Sequence, residues 1–251
     1  MAYLDRDGTR LYYQVSGGHN ENLPLLLSHG FGASSGMWEP NLGALAAERP
    51  VITWDMRGHG RTECQELQGE YTQAACVADM AALLDVAGAG RAVVGGLSLG
   101  GYLSLAFWLA HPDRVAALLL FDTGPGFRSD EARQRWNERA NAIADRLERD
   151  GLAALGPDAV RHRSARGLAL AARGMLAQQN ARVIESLPSI TIPVLVLVGS
   201  RDEAFLGAAD YLAAKVPRAV RAVIPDAGHM SNIDQPELFS QQVLAFLAER
   251  V

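Results

Sequence analysis

The sequence predicts an α/β protein: a mostly parallel sheet of eight strands, helices on both faces, and a small helical insertion. Three observations predict it. The apolar runs 92–95, 115–121 and 194–198 lack polar/apolar alternation, as expected of strands buried on both faces. Helical patterns fill the gaps between such runs, and that alternation implies parallel strands joined by crossover helices. Residues with catalytic chemistry, Ser98, Asp202 and His229, each follow a predicted strand, at the edge where open α/β sheets build their sites.

Taken in order, strands are expected near Tyr3 and at 11–15, which form an initial hairpin, then at 25–28, 51–54, 92–95, 115–121, 194–198 and 220–224. Helices are expected around 38–47, 72–87, 100–110, 206–215 and 235–247. The alternation breaks once, where about sixty polar, Ala- and Arg-rich residues separate Asp122-Thr123-Gly124-Pro125-Gly126 from Leu187-Pro188. Ser129 can cap a helix there whose first turn carries Asp130 and Glu131. Trp136, Ala140, Ile143 and Leu147 recur on one face, and Gly151 can end the helix. A second pattern, Leu168, Ala172, Met175 and Leu176, follows Ser164. The expected division is a core at 1–124, a helical cap at 125–187 and the rest of the core at 188–251. The cap's apolar underside is expected to face Ser98, with Trp136 and Met175 either lining a pocket or holding the cap together.

Ser98 lies in Gly96-Leu97-Ser98-Leu99-Gly100, directly after the run 92–95 and before the apolar helical stretch from Tyr102. This is a G-x-S-x-G elbow in a strand–turn–helix setting, where the turn strains the serine backbone and exposes Oγ at the sheet edge. Side chains two residues to either side would collide there, which is why glycine is needed at 96 and 100.

A serine hydroxyl is a weak nucleophile at neutral pH and needs a base within hydrogen-bond reach. His229, in Gly228-His229 before the last helix, is the expected base, and Asp202, in Gly199-Ser200-Arg201-Asp202, is expected to orient it. Asp122 also ends a strand and is the alternative acid, read more simply as ordering the Asp-Thr-Gly-Pro turn. The developing alkoxide needs preorganised donors. These are expected from the backbone N–H of Leu99 and of Phe31, in His29-Gly30-Phe31-Gly32, with the Phe31 ring lining the pocket. His29 and His59 read as supports of their loops, His19, His111 and His162 as surface or turn residues, and Met230 as a further pocket residue or a packing one. No His/Asp/Glu/Cys cluster has metal-ligand spacing, so no metal or cofactor is expected.

These segments, with Trp54-Asp55-Met56-Arg57-Gly58-His59-Gly60, identify the chain as resembling the α/β-hydrolase superfamily along essentially its whole length. The resemblance implies the α/β-hydrolase fold and a triad in the order nucleophile, acid, histidine. Haloalkane dehalogenases and epoxide hydrolases use aspartate where this chain has Ser98, and dienelactone hydrolases use cysteine, so those activities fall away. The 229–236 stretch and the Trp54-to-Gly60 loop are similar to 3-oxoadipate enol-lactonases, although those usually carry a Ser-Asn-Ser-Leu-Gly oxyanion loop. The opening Gly124-Pro125-Gly126-Phe127 and the Arg-rich helix after it resemble the pyruvate-eliminating synthases of the menaquinone pathway. Those typically have an arginine where this chain has Tyr102.

Bulk properties set the outer limits. With 251 residues, 49% of them hydrophobic, the chain suits one domain with a full core. A net charge of −5 gives no footprint for nucleic acid. The first residues hold no signal-peptide core, no apolar run reaches membrane-span length, and two cysteines make no disulfide framework. A cytoplasmic protein is expected, in an oligomeric state the sequence leaves open. The expected function is hydrolysis of a small carboxylic ester or lactone through an acyl-enzyme. The alternatives are carbon–carbon bond hydrolysis or pyruvate elimination on a carboxylated metabolite, served by any of Arg128, Arg133, Arg135, Arg139, Arg163 and Arg166 that points inward, and, in another class, a small-molecule receptor on the same fold.

Overall fold

The computed structural model describes residues 2–18 and 22–251; His19, expected at the surface, falls outside them. Eight strands form a single sheet: β1 (Ala2–Arg6), β2 (Thr9–Ser16), β3 (Leu25–Ser28), β4 (Val51–Trp54), β5 (Ala92–Leu97), β6 (Val115–Phe121), β7 (Val194–Gly199) and β8 (Ala219–Ile224). Their order across the sheet is β1-β2-β4-β3-β5-β6-β7-β8. The β1–β2 and β2–β4 pairs are antiparallel and every other pair is parallel.

The central strands are apolar throughout because each face has its own core. Leu118 and Leu120 of β6, with Val194, Val196 and Val198 of β7, pack on one face. They meet α2 (Gln73–Val86), α3 (Leu99–Ala110) and α7 (Glu203–Lys215) through residues such as Met80, Leu103, Phe107 and Leu212. Leu119 and Phe121, with Leu195 and Leu197, point the other way. There they meet Trp38, Leu45 of α1 (Glu39–Glu48) and Phe239, Val243 and Phe246 of α9 (Pro236–Arg250). Among the described residues no helix is long and apolar enough to cross a membrane.

The chain between β6 and β7 is helical: α4 (Asp130–Asp150), α5 (Ala165–Ala171) and α6 (Arg182–Ser186). The Ser129 side chain accepts from the Ala132 N–H at the start of α4, and the Ser164 side chain accepts from the Gly167 N–H at the start of α5. Ala140, Ala144 and Leu147 form the buried face of α4. Two features depart from simple periodicity. A 3₁₀ stretch, Gly151–Arg161, is broken at Gly156 (φ 60°), and a π turn, Ala172–Leu176, follows α5.

Backbone crowding sets the position of the strand–turn–helix unit β5–α3. A Cβ on Gly96 would lie 2.5 Å from the Ser28 carbonyl oxygen, and one on Gly100 only 2.2 Å from it. No Cβ tolerates such approaches, so β5 and α3 sit against the end of β3 with nothing between the backbones. Gly100→Ala is expected to destabilise the protein by roughly 1–3 kcal/mol or more, because the obstacle is backbone. Gly43→Ala, inside α1 where an added Cβ meets nothing within 4 Å, is expected to stabilise it by about 0.4–1 kcal/mol. Urea midpoints of the two variants, moving in opposite directions, check both.

Candidate active site

Ser98 immediately precedes α3 with φ 55° and ψ −115°, a conformation an L-residue holds only when its surroundings impose it. Its N–H donates to the Phe121 carbonyl (2.9 Å) and its own carbonyl accepts from the Thr123 hydroxyl (2.6 Å). β6 and the turn after it thus grip the strained residue from both sides. The Leu99 N–H, first in the helix, has no carbonyl one turn back to bond.

The structure brings Asp202 and His229 together. His229 Nδ1 lies 2.8 Å from Asp202 Oδ2, with the carboxylate buried and the imidazole partly exposed. Phe205, one turn into α7, stacks on the His229 ring (4.8 Å, 27°). Asp122 is engaged elsewhere. One of its oxygens accepts from the Gly199 N–H (2.7 Å), and the other from the Ser231 hydroxyl at the start of α8 (Ser231–Asp234). It thereby ties β6 to β7 and to the segment that follows His229. Burial pushes the Asp122 carboxyl up to about 7.

The loop after β3 rests on imidazoles. His29 Nδ1–H donates to the Gly30 carbonyl (2.7 Å), and its Nε2 accepts from the Met56 N–H (3.0 Å). His59 Nδ1–H donates to the Arg57 carbonyl (3.0 Å). His162, expected at the surface or in a turn, is instead 7% exposed, because it follows the 3₁₀ stretch and inserts between two core loops. Arg57 makes a two-pronged, buried pair with Asp79 (2.6 and 2.9 Å), anchoring the loop that carries His59.

Ser98 opens into a cavity of about 450 Å³. Leu99, Tyr102 and Thr123 line its floor, Phe205, Ala208 and Tyr211 one side, and Phe127, Trp136, Leu176 and Ile184 the side formed by the insertion. Trp136 is held by its Nε1–H on the Leu176 carbonyl (2.8 Å) and by a tilted contact with Phe127. Three residues expected in the pocket do not line it. Met175 is fully buried in the core: the π turn shifts the helical phase by one residue, so Leu176 faces the cavity instead. The Phe31 ring lies edge-on against His59 (5.2 Å) and packs with the insertion's own apolar cluster. Met230 is 43% exposed, outside the cavity wall. Sequence reasoning missed Phe205 and Tyr211. Phe205 had a usable signal, standing three residues after the candidate acid on a helix's first turn.

Three buried imidazoles make stability depend on pH. Burial lowers His29 from 6.5 to about 4, lowers His59 well below its ordinary value, and lowers His162 as well. Below about pH 6.5 the unfolded chain therefore takes up protons first, and stability falls until the folded state also protonates, near pH 4 for His29. Asp122 acts in the opposite sense between its raised value of about 7 and the ordinary 3.8. With three groups against one, the urea midpoint is expected to be lower near pH ~5 than near pH ~7, and the gap to widen in Asp122→Asn.

The fold is shared with known proteins. A model of the "Alpha/beta hydrolase family" matches residues 25–242. The chain is 30% identical, over 96% of both proteins, to the putative 2-succinyl-6-hydroxy-2,4-cyclohexadiene-1-carboxylate synthase of Bacillus subtilis (strain 168). Among solved structures it is similar to the enol-lactonase from Burkholderia xenovorans LB400 (TM-score 0.80, 28% identity, 98% of this chain and 99% of that one). It is also similar to a thermophilic esterase from Thermogutta terrifontis (TM-score 0.79, 31% identity, 96% and 94%). With the match running from β3 into α9 and the whole topology shared with solved relatives, the chain belongs to the alpha/beta hydrolase family.

Proposed function

We propose that the protein is a serine hydrolase that cleaves a small carboxylic ester or lactone through an acyl-enzyme. The observations that carry this reading are a strained Ser98 that lines the cavity and a His229 whose Nδ1 is committed to Asp202. With Nδ1–H donating to the carboxylate, Nε2 is left as the acceptor for the Ser98 proton. Ser98 Oγ attacks the substrate carbonyl, and the alkoxide forms against the N–H groups of Leu99 and Phe31. The tetrahedral species collapses as His229 returns the proton to the leaving alkoxide. Water, activated by the same imidazole, then releases the acid from Ser98.

Ser98→Ala is expected to lower turnover of a 4-nitrophenyl ester by about 10⁴-fold or more with thermal stability retained. Asp202→Asn is expected to lose about 10³–10⁴-fold, because an amide neither stabilises the imidazolium nor holds its tautomer. Asp122→Asn is expected to act mainly on stability, since Asp122 bonds Gly199 and Ser231 instead of His229. The reverse order of the two aspartate effects in a rate assay would exchange their roles.

The insertion acts as a cap over a pocket at the lower end of the usual ligand-site range. Each acyl methylene gains up to about 0.8 kcal/mol while room remains, and overpacking then costs roughly 1–3 kcal/mol, so kcat/KM is expected to peak at roughly two to six acyl carbons. In Trp136→Ala the optimum is expected to move to longer chains, which an ester series from acetate to decanoate reads directly.

A second reading, that the substrate carries a carboxylate, is favoured by two arginines. Arg128 and Arg139 line the cavity and have no ion pair among the described residues. The other cap arginines singled out from the sequence are paired: Arg133 with Asp130, Arg135 with Glu131, Arg163 with Glu63 and Arg166 with Glu66. The two free guanidiniums suit an anionic acyl group, whether the bond broken is an ester, a lactone or a carbon–carbon bond. Arg139→Gln is expected to cut kcat/KM for a succinate half-ester by about 10–100-fold, the worth of one charged hydrogen bond, and to leave the butyrate ester within about threefold.

A further inference from the structure

His162 is the one residue of the insertion that bonds both loops beneath the proposed oxyanion hole among the described residues. Its Nδ1 accepts from the Gly60 N–H (3.0 Å), and its Nε2–H donates to the Gly32 carbonyl (2.9 Å). Those partners fix the tautomer: an amide N–H faces one ring nitrogen and a carbonyl oxygen faces the other. Burial lowers the imidazole's affinity for a second proton, which keeps it neutral, one donor and one acceptor.

Phe31 stands between two glycines whose carbonyls are each held by an imidazole N–H. His29, from the core, holds Gly30 at 2.7 Å; His162, from the insertion, holds Gly32 at 2.9 Å. His59 lies between the two rings, 5.0 Å from His29 and 5.9 Å from His162, with Phe31 resting edge-on against it at 5.2 Å. Gly32 needs the restraint, since its φ of 73° is a conformation glycine leaves easily. The Gly32–Ala33 peptide, two peptide units on from the Gly30–Phe31 unit that carries the Phe31 N–H, is therefore clamped by a side chain that the core fold does not supply.

We propose that His162 is a positioning residue for the oxyanion hole: His29 holds the Gly30 carbonyl of the peptide unit that carries the Phe31 N–H, and docking of the insertion fixes the other end of the loop at the Gly32 carbonyl, which keeps that unit from turning. The proposal rests on the reading of Phe31 as an oxyanion donor. Its consequence is that cap and catalytic loop act as one unit, so a disturbance of the cap is felt in the transition state as well as in substrate binding. A donor preorganised toward the alkoxide acts on kcat, whereas a residue that only shapes the pocket acts on KM.

Two conservative variants separate the bonds. Gln at 162 can place an amide N–H toward the Gly32 carbonyl, and Asn can keep an acceptor toward Gly60 while losing that donor. Each variant is assayed below its unfolding temperature with a 4-nitrophenyl ester and with an aryl trifluoromethyl ketone, which forms a tetrahedral oxyanion adduct on a serine nucleophile. His162→Asn is expected to lose about 10–100-fold in kcat with KM within about twofold, less than outright removal of an oxyanion donor costs. The same factor is expected in ketone affinity, and His162→Gln is expected to stay within about threefold of the parent in both. Parental kcat and ketone affinity in His162→Asn, with only a lowered unfolding temperature, would overturn the proposal, as would equal losses in the two variants. Failure of the parent itself to form the ketone adduct would instead count against Ser98 and the oxyanion reading beneath it.

Discussion

At the end of β3 the Ser28 carbonyl leaves no room for a side chain at Gly96 or at Gly100, so strand, turn and helix meet backbone to backbone. That closeness forces the chain to reverse over the residues between, and Ser98 takes up the strain as a positive φ. The same contact brings the start of α3 beside the loop that leaves β3. The Leu99 N–H and the 29–32 loop are neighbours because β5 and β3 pair in register, Leu27 with Gly95 and Ser28 with Gly96. A bulkier residue at either glycine would separate the groups whose proximity the proposed chemistry requires.

The proposed acid and base are placed by a different device. β7 and β8 pair through Gly199 and Ile224, so the loops after them start side by side and carry Asp202 and His229 into contact. Asp122, buried at the end of β6, holds Gly199 and Ser231 and so braces both loops. One carboxylate thus orients an imidazole while the other fixes the scaffold on which that pair sits. Hydrogen-bond partners separate the two roles more firmly than position along the chain does, since both aspartates end a strand.

Much of this was legible in the sequence because local patterns and the fold agree. Unalternating runs such as 194–198 mark strands with a core on each face, and Ser129 and Ser164 mark helix starts that the side chains do cap. Ser98, Asp202 and His229 could be placed at one edge of the sheet from the strands that precede them. The cavity wall was less legible. A π turn moves Leu176 into the place that regular periodicity gives Met175, and no sequence period announces it. His162 was misread for a similar reason: it follows an irregular 3₁₀ stretch, and its two partners lie 102 and 130 residues away. Phe205 and Tyr211 reach the cavity from α7, whose apolar residues read equally well as sheet-packing ones.

If an acyl group passes through Ser98, the mass of the protein during turnover reveals it most directly. An ester that deacylates slowly is mixed with the enzyme, quenched in acid within the steady state and digested, and the acylated peptide is located by tandem mass spectrometry. A mass increase equal to the acyl group is expected on the peptide containing Ser98, present during turnover and gone once substrate is exhausted. Undiminished turnover with no adduct at any time, or with the acyl group on another residue, would contradict it.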